Sequence, residues 1–390
     1  MKIKTLKSIK NFKGKRFLVR VDFNVPIKRG KIVDDFRIAQ GLETISVLMS
    51  REAKVILLAH LGRPEEGKYR EEFSVSSVAE RLEELLKCKV AVIRNFRSFE
   101  GGNKLAKMHD GDVVMLENIR FEVGEEAASL KLARELASLA DYYVNDAFAV
   151  SHRDNASVSA IQHYLPSVAG ILLEKELLNL SAVFKPKNPL ILIIGGVKIE
   201  TKLPLIKNFQ NKAEKILIGG AIANAFLKVS GFEIGKSKID TETLSVAGKI
   251  LAKQRNLLLP IDVVVSAKSD GTAIRVKKVS QVEAGDYIFD IGPETIKLYS
   301  KYISQAQTII WNGPMGFFEM KSFKHGTMGI AMSVAARSKG RAFGVVGGGE
   351  TIEALNLSGM AQYVDWVSTG GGAMLSYLGG EKMPGLKKII

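Results

Sequence analysis

Short apolar runs alternate with helical patterns along most of the chain, and this alternation constrains the fold more than any other feature. In the first half, runs rich in valine, isoleucine and leucine lie at residues 17–21, 55–58, 90–93, 113–116 and 142–144. Between them, amphipathic patterns at residues 76–86 and 127–139 predict helices, with Ser76 as the N-cap of the first. Strands that alternate with helices form βαβ units, so the pattern predicts an α/β fold with a parallel sheet.

A second series of apolar runs predicts a second domain. These runs lie at residues 190–194, 215–218, 263–265, 308–311, 342–346 and 364–367. Between the two series, a helical pattern at residues 172–184 stops at a breaker cluster that contains Pro186 and Pro189. The chain of 390 residues also exceeds the size at which one hydrophobic core stops growing. We therefore predict two doubly wound parallel-sheet domains, residues 1–170 and 186–379, joined by a connecting helix at residues 171–185.

Composition argues against several other classes of protein. A hydrophobic content of 46% and a charged content of 25% are typical of a globular protein. No apolar run approaches the ~18–20 residues of a membrane span, and the basic N-terminus is not followed by the apolar segment of a secretory signal. The single cysteine, Cys88, excludes an intramolecular disulfide. We expect a cytoplasmic protein with no membrane partner.

The formal net charge of +15 is compatible with nucleic-acid binding. The lysines, however, are spread along the whole chain, and no basic segment is interleaved with aromatic residues in the manner typical of RNA binding. We interpret the excess charge as solvated surface that helps to attract anionic substrates. No specific nucleic-acid partner is expected, and non-specific binding at low salt stays open.

Basic and polar residues lie at or just after the ends of the predicted strands of the first half. They include Arg20, Asp22, Asn24, Arg37, His60, Arg63, Arg120, His152 and Arg153. The carboxyl ends of parallel strands meet at one edge of a sheet, where such folds bind ligands. One arginine alone is more often a surface or ion-pair residue, but several at one edge are costly unless an anion neutralises them. Because guanidinium groups suit carboxylate and phosphate oxygens, the cluster predicts a site for a small phosphorylated acid.

Glycine clusters occupy the corresponding positions in the second half. They lie at Gly195–Gly196, Gly219–Gly220, Gly313, Gly347–Gly349 and Gly370–Gly372. Two of them lead directly into helical patterns, and the free amides of a helix start bind phosphate. The P-loop and dinucleotide fingerprints are both missing, because Ser230 and Ile352 stand where those motifs require glycine. Each cluster alone is compatible with a simple tight turn, but together they predict nucleotide binding.

Motifs in the same order along the chain resemble those of the phosphoglycerate kinase family. The sequence reads VRVDFNVP from Val19, DFRI from Asp35, AHLGRP from Ala59 and LENIRF from Leu116. In the second half it reads GGVKIETK from Gly195 and WNGPMG from Trp311, followed by Glu319 and the last two glycine clusters. The resemblance covers essentially the whole chain. It implies a glycolytic phosphotransferase that converts 1,3-bisphosphoglycerate and ADP to 3-phosphoglycerate and ATP reversibly, with Mg²⁺.

The resemblance also implies roles for individual residues. Phosphoglycerate would be bound by Asp22, Phe23, Asn24, Arg37, His60, Leu61, Gly62, Arg63, Arg120 and Arg153. The nucleotide would be bound by Lys202, Gly219, Gly220, Asn312, Glu319, Gly348, Gly349, Glu350 and Thr351. The transferred phosphoryl group would be flanked by Arg37, Lys198, Gly371 and Gly372. The four-residue spacing of Lys198 and Lys202 predicts that both lie on one face of a helix opened by Gly195 and Gly196.

The sequence departs from the family pattern at three places. Glu350 stands where the family has a metal-binding aspartate, Ala149 and Val150 replace a Gly-Thr pair, and Asn155 stands where a second histidine is usual. The family also implies a monomer that closes about the connecting helix, with residues 380–390 packed back on the first domain. Two alternatives stay open: a relative whose activity is altered through Glu350, and a basic nucleic-acid-binding protein on the same fold.

Overall fold

The computed structural model of the chain describes residues 2–237, 239 and 241–390. These residues form two compact units. The first comprises Met1–Leu178 together with Lys382–Ile390, and the second comprises Asn179–Glu381. The division falls inside the helix Ile171–Ala182, which is three residues shorter at its end than the predicted connecting helix.

The first unit is built on a parallel sheet of six strands. The sheet contains β1 (Arg16–Val21), β4 (Lys54–Leu58), β5 (Val90–Ile93), β6 (Val113–Leu116), β7 (Tyr142–Asp146) and β8 (Ser167–Ala169). A separate short hairpin consists of β2 (Ile27–Lys28) and β3 (Lys31–Ile32). The order in the sheet is β5-β6-β4-β1-β7-β8, and every pair is parallel. The helices are α1 (Phe36–Ser50), α2 (Ser76–Leu86), α3 (Phe99–Ala106), α4 (Leu130–Ala137) and α5 (Ile171–Ala182).

Both faces of this sheet are buried, which explains why its strands read as continuous apolar runs. Along β1, Phe17 and Val19 pack into one hydrophobic cluster, while Leu18 packs into a second cluster on the opposite face. Arg20 lies at the carboxyl end of the Leu18 face and is 2% exposed. A buried cation therefore lies near the carboxyl end of the central strand, at the edge where the basic residues converge.

The second unit contains another parallel sheet of six strands and a small antiparallel sheet. Its strands are β9 (Leu190–Ile194), β10 (Lys215–Ile218), β11 (Leu257–Leu258), β12 (Asp262–Ser266), β13 (Ile274–Lys278), β14 (Tyr287–Ile291), β15 (Thr308–Asn312), β16 (Phe343–Gly347) and β17 (Trp366–Ser368). The order of the large sheet is β11-β10-β9-β15-β16-β17, and that of the small one is β13-β12-β14. The helices are α6 (Leu203–Phe209), α7 (Gly220–Val229), α8 (Thr241–Leu251), α9 (Pro293–Gln305), α10 (His325–Ser338), α11 (Gly349–Leu357) and α12 (Gly372–Leu378).

The predicted α/β class with two parallel sheets is confirmed, but one predicted strand belongs elsewhere. The run at residues 263–265 is the centre of the small antiparallel sheet, where β12 pairs with β13 and β14. Its edge strand, β13, is largely exposed and carries Arg275, Lys277 and Lys278. The apolar pattern predicted the middle strand β12, but it did not predict the antiparallel pairing or the neighbouring strands β13 and β14.

Two predicted helix starts are also wrong, for identifiable reasons. The N-cap of α2 is Val75 rather than Ser76, because Glu117 accepts the amide of Val75 at 2.9 Å. The predicted helix at residues 127–139 begins only at Leu130, since Ala128 has a left-handed backbone (φ 52°) and Ser129 caps the helix.

The C-terminal segment Lys382–Ile390 packs within the first unit. The carbonyl of Gly385 accepts hydrogen bonds from Asn145 Nδ2 (3.0 Å) and Gln162 Nε2 (2.8 Å), and Leu386 and Ile389 are fully buried. None of the helices that the structure describes combines the length and the apolar character required to cross a bilayer.

Candidate active site

Asp22 and Arg37 form an ion pair at the carboxyl edge of the first sheet. Asp22 follows β1 directly, and Arg37 lies in the first turn of α1. Arg37 Nη1 donates to Asp22 Oδ2 at 2.6 Å, and the Asp22 side chain is 5% exposed. The other oxygen, Asp22 Oδ1, is buried and has no hydrogen-bond partner among the described residues. An unpartnered buried acceptor beside an arginine is suited to a ligand that carries both a hydroxyl and an anionic group.

The loop after β4 is held in one conformation by its neighbours. Asn24 Oδ1 accepts the amide of Gly62 at 2.8 Å, and Arg120 Nη1 donates to the carbonyl of Gly62 at 2.5 Å. Asn118 binds both backbone groups of Leu61, at 3.2 Å and 2.7 Å. Gly62 has φ 62° and lies against Phe73, so a side chain would be strained and would clash there. The sequence prediction assigned no role to Asn118, although it lies in the LENIRF motif.

Two residues predicted to bind phosphoglycerate have side chains in the core. Phe23 is 1% exposed and packs against Gly41, and Leu61 is 4% exposed. Their side chains therefore support the site from the core, while Asn118 binds both backbone groups of Leu61 and the amide of Val25 donates to the carbonyl of Phe23 at 2.9 Å.

The remaining basic residues of the first unit are close enough to perturb one another. Burial, together with the charges of Arg20, Arg120, Arg153 and Arg37, lowers the pKa of His60 well below its usual value. Burial also lowers the pKa of Arg120, and among the neighbouring charges Arg153 and Arg63 act in the same direction. The structure thus groups Arg20, Arg37, Arg120 and Arg153 around His60, with Arg63 beside Arg120, and His60 is a neutral imidazole among them.

In the second unit, a cavity of about 260 Å³ opens beside the glycine-rich turns. Its walls include Gly196, Gly220, Asn224, Phe289, Glu319 and Glu350. Gly220, Glu319 and Glu350 are residues that the sequence predicted for the nucleotide. The apolar wall with a few polar groups is typical of a small-molecule site.

The glycines of this unit permit close backbone approach between neighbouring turns. Gly313 has φ 95° and lies against the backbone of Gly195, so that a β-carbon would overlap the neighbouring chain. Gly220 (φ 63°) lies in the same way against the backbone of Gly196, whereas Gly219 lies against the side chain of Met315. Glycine is required here by packing as well as by any ligand.

Asn312 and Thr351 tie two of these turns together. Asn312 Nδ2 donates to the carbonyl of Gly347 at 2.7 Å, and Thr351 Oγ1 accepts the amide of Gly313 at 2.7 Å. Both side chains are buried, and Asn312 Oδ1 has no hydrogen-bond partner among the residues described. Beyond them, Gly348 (φ 103°) precedes α11, whose first residue is Gly349. Gly371 (φ 51°) likewise precedes Gly372, the first residue of α12.

The prediction that Lys198 and Lys202 share one helix is wrong. Lys198 lies in an irregular segment after β9, and Lys202 ends a 3-10 turn, Glu200–Lys202, before α6 begins at Leu203. Pro204 has no amide to donate to the carbonyl of Glu200, so a continuous α-helix cannot pass through this point. Lys198 is exposed, whereas Lys202 is half-buried. Burial lowers the pKa of Lys202, and the Glu350 carboxylate opposes this shift.

Asp290 is a buried carboxylate in the cavity wall that the sequence prediction missed. It accepts the amides of Ile291 (2.9 Å) and Gly326 (2.7 Å), and it packs against Gly316. Burial raises its pKa to about 7, against the opposing effect of the two amides. The only available signal was an acidic residue at the end of an apolar run, Tyr287–Ile291.

We expect Asp290→Asn to change how the stability of the second unit depends on pH. Because the folded pKa is about 7 and the ordinary value is 3.8, the folded state holds more protons than the unfolded state between these values. The contribution of Asp290 is therefore greatest below about pH 4 and is lost as pH rises through about 7. The destabilisation caused by the asparagine, which remains neutral, should be smaller at pH 8 than at pH 5 by roughly 2 kcal/mol.

Urea unfolding followed by tryptophan fluorescence measures this effect. Both tryptophans, Trp311 and Trp366, belong to the second unit, so the signal reports on that unit alone. An equal destabilisation at the two pH values would show that Asp290 does not titrate in this range.

Among the described residues, no group of three or more His, Cys, Asp or Glu side chains is arranged to hold a metal ion. Glu350 is the predicted protein ligand; it is exposed and lies on the first turn of α11.

The sequence model of one family, described as phosphoglycerate kinase, matches residues 6–381. The chain belongs to the phosphoglycerate kinase family. It is 42% identical to the phosphoglycerate kinase of Pelotomaculum thermopropionicum over 99% of both chains. It is 44% identical to that of Dictyoglomus turgidum over 96% of both.

Solved structures of phosphoglycerate kinases have the same fold. The enzyme from Coxiella burnetii has a TM-score of 0.87 at 38% identity and covers 100% of this chain and 99% of its own. The enzyme from Pyrococcus horikoshii has a TM-score of 0.88 at 31% identity, with 99% and 98% covered. The predicted family and phosphotransferase activity are confirmed, with ADP or ATP as co-substrate, and the comparisons favour them over a nucleic-acid-binding protein.

Proposed function

We propose that the phosphoglycerate kinase reaction of this chain takes place between two half-sites, one on each unit. The basic edge of the first unit binds 3-phosphoglycerate or 1,3-bisphosphoglycerate, and the glycine-rich edge of the second binds ADP or ATP. The observation that carries this assignment is the convergence of Arg37, Arg120 and Arg153 on a neutral His60, with Arg63 beside Arg120. So many cations at one sheet edge are explained by an anionic ligand.

The basic edge provides distinct contacts to such a ligand. Asp22 Oδ1, buried and unpartnered among the described residues, accepts the substrate hydroxyl. Arg120 and Asn24 hold the Gly62 loop in place, and Arg63 and Arg153 neutralise the phosphate. Arg37, which is about one-third exposed, extends to the carboxyl end of the substrate and contacts the transferred phosphoryl group.

The second unit neutralises and positions the nucleotide. Lys202 binds the nucleotide phosphates from beside Glu350, and the cavity near Phe289 and Asn224 accepts the base. Lys198 and the amides of Gly371 and Gly372 face the transferred phosphoryl group. Phosphoryl transfer needs in-line positioning and charge neutralisation rather than a protein nucleophile, and this set of residues supplies both.

Closure of the two units about α5 brings the half-sites together and expels water during transfer. The enzyme acts as a monomer in the cytoplasm, as the family resemblance implies. A coupled assay of ATP formation from 1,3-bisphosphoglycerate and ADP tests the reaction directly. ATP formation dependent on both substrates supports the proposal, and its absence from folded protein contradicts it.

Glu350, together with the nucleotide phosphates, would hold Mg²⁺. The donor set fits this ion, because Mg²⁺ usually keeps several waters and takes only one or two carboxylates from the protein. When bound, the ion neutralises charge on the phosphate oxygens. Lys202 lies close enough to Glu350 to share this task.

We expect Glu350→Ala to raise the Mg²⁺ concentration required for half-maximal activity by roughly 10–100-fold, the loss of metal affinity that is typical when a residue supporting a bound metal is removed. Glu350→Asp should be tolerated, because it keeps the carboxylate and shortens the side chain by one methylene group. Glu353→Ala removes an exposed carboxylate one turn later on α11 and serves as the control. An unchanged Mg²⁺ titration in Glu350→Ala would reduce Glu350 to a residue that only complements the helix dipole.

A further inference from the structure

Arg20 is a buried cation whose hydrogen bonds go to other groups of the protein interior. Its Nη1 donates to the carbonyl of Val21 at 2.7 Å, and its Nε donates to Ser157 Oγ at 3.1 Å. Its Nη2 lies 3.2 Å from Nδ1 of His60. With 2% exposure, Arg20 acts on a ligand through His60 rather than by direct contact.

The charge of Arg20 is compensated through a serine. Ser157 Oγ, which accepts from Arg20, donates to Glu125 Oε1 at 2.6 Å, and the amide of Ser157 donates to Oε2 at 2.9 Å. Glu125 and Ser157 are both fully buried. Burial raises the pKa of Glu125, but two hydrogen bonds accepted by its oxygens and the charge of Arg20 favour the carboxylate. A continuous buried network therefore runs from Glu125 through Ser157 and Arg20 to His60.

This network determines which nitrogen of His60 carries the proton. A guanidinium group only donates hydrogen bonds, so Nδ1 of His60 must accept from Arg20. A neutral imidazole with an accepting Nδ1 carries its proton on Nε2. His60 makes no other hydrogen bond among the described residues, which leaves Nε2–H available as a donor.

We propose that Glu125, Ser157 and Arg20 are positioning residues that fix His60 as the neutral Nε2–H tautomer, a directed donor to an oxygen of the phosphoglycerate. The inference rests on the proposed function only in its choice of ligand. If the network were lost, His60 would sample both tautomers. In the other tautomer an imidazole lone pair would face an anion, and affinity would fall.

The tautomer can be read without substrate by two-bond ¹⁵N–¹H correlation spectra of ¹⁵N-histidine-labelled protein. The chain has five histidines, and His60→Asn assigns the relevant signal. We expect the native protein to show the pattern of an unprotonated Nδ1 and a protonated Nε2. In Ser157→Ala and Arg20→Met we expect a mixture of the two tautomers. An Nδ1–H tautomer in the native protein, or an unchanged Nε2–H tautomer in both folded variants, would overturn the proposal.

Kinetics supply the second readout. Ser157→Ala should raise the KM for 3-phosphoglycerate about tenfold with little change in kcat and with ATP affinity retained. Ser167→Ala removes another buried hydroxyl of the same unit, which bonds within the described residues to the carbonyl of Leu165 alone, and is the matched control. A mixed tautomer with an unchanged KM would overturn the role of His60 as a substrate donor. Failure of the proposed function itself would appear instead as native protein that does not bind 3-phosphoglycerate.

Discussion

Arg37→Ala is expected to reduce kcat by about 10²–10³, while Arg120→Ala mainly raises the KM for phosphoglycerate. Removing a donor that acts on the transition state costs about 10²–10³ in rate. Arg120 is 7% exposed and is already bonded to Gly62 and Glu126, so we expect it to hold the loop and to bind the ground-state anion rather than the transferred group. Steady-state kinetics with both substrates varied separates the two effects.

Arg37→Ala also leaves the buried Asp22 carboxylate without its ion-pair partner, and this cost must be separated from catalysis. Adding Asp22→Asn to Arg37→Ala should recover thermal stability without recovering kcat. Arg37→Lys should remain impaired, since lysine lacks the fork that binds two oxygens. Arg134→Ala removes an exposed arginine of α4 and is the control. Equal losses of kcat in Arg37→Ala and Arg120→Ala, with unchanged KM, would reject this division of roles.

Lys198→Ala is expected to reduce kcat by about 10²–10³ with ATP affinity retained, whereas Lys202→Ala weakens ATP binding by roughly tenfold or more. The structural difference between the two lysines supports this expectation. Lys198 is exposed in an irregular segment and is free to follow the transferred group, while Lys202 is half-buried beside Glu350.

Calorimetry with ATP and single-turnover rates distinguish these outcomes. Lys207→Ala, an exposed lysine on α6, controls for the loss of one positive charge from the same region. Intact ATP affinity in both Lys198→Ala and Lys202→Ala would remove these residues from the nucleotide site.

The fold was predictable because the strands of both large sheets are apolar on both faces. A run such as β9, which is apolar throughout, needs a sheet that is covered on both faces, and β1 departs from this pattern at Arg16 and Arg20. Features that depend on partners distant in sequence were not predictable. Glu117 binds the amide of Val75 just before α2, and the irregular backbone after β9 separates Lys198 from the 3-10 turn that carries Lys202.

The candidate site was predictable at the level of residue types but not of contacts. Strand-end position brought Arg37, His60 and Arg120 together as expected. It could not indicate that Asn312 bonds Gly347, or that Asp290 lies buried beside the start of α10. These residues connect loops that are distant in sequence, and a local sequence pattern does not indicate which loops are neighbours in space.

The central claim is that each unit carries one half-site and that transfer requires the two units to close on both substrates. Small-angle X-ray scattering of the full chain tests it most directly, with 3-phosphoglycerate, with Mg²⁺ and a non-transferable ATP analogue, and with both together. The account predicts that the radius of gyration falls further in the ternary complex than with either ligand alone. A ternary complex no more compact than the two binary complexes, with both ligands shown by calorimetry to be bound, would contradict it.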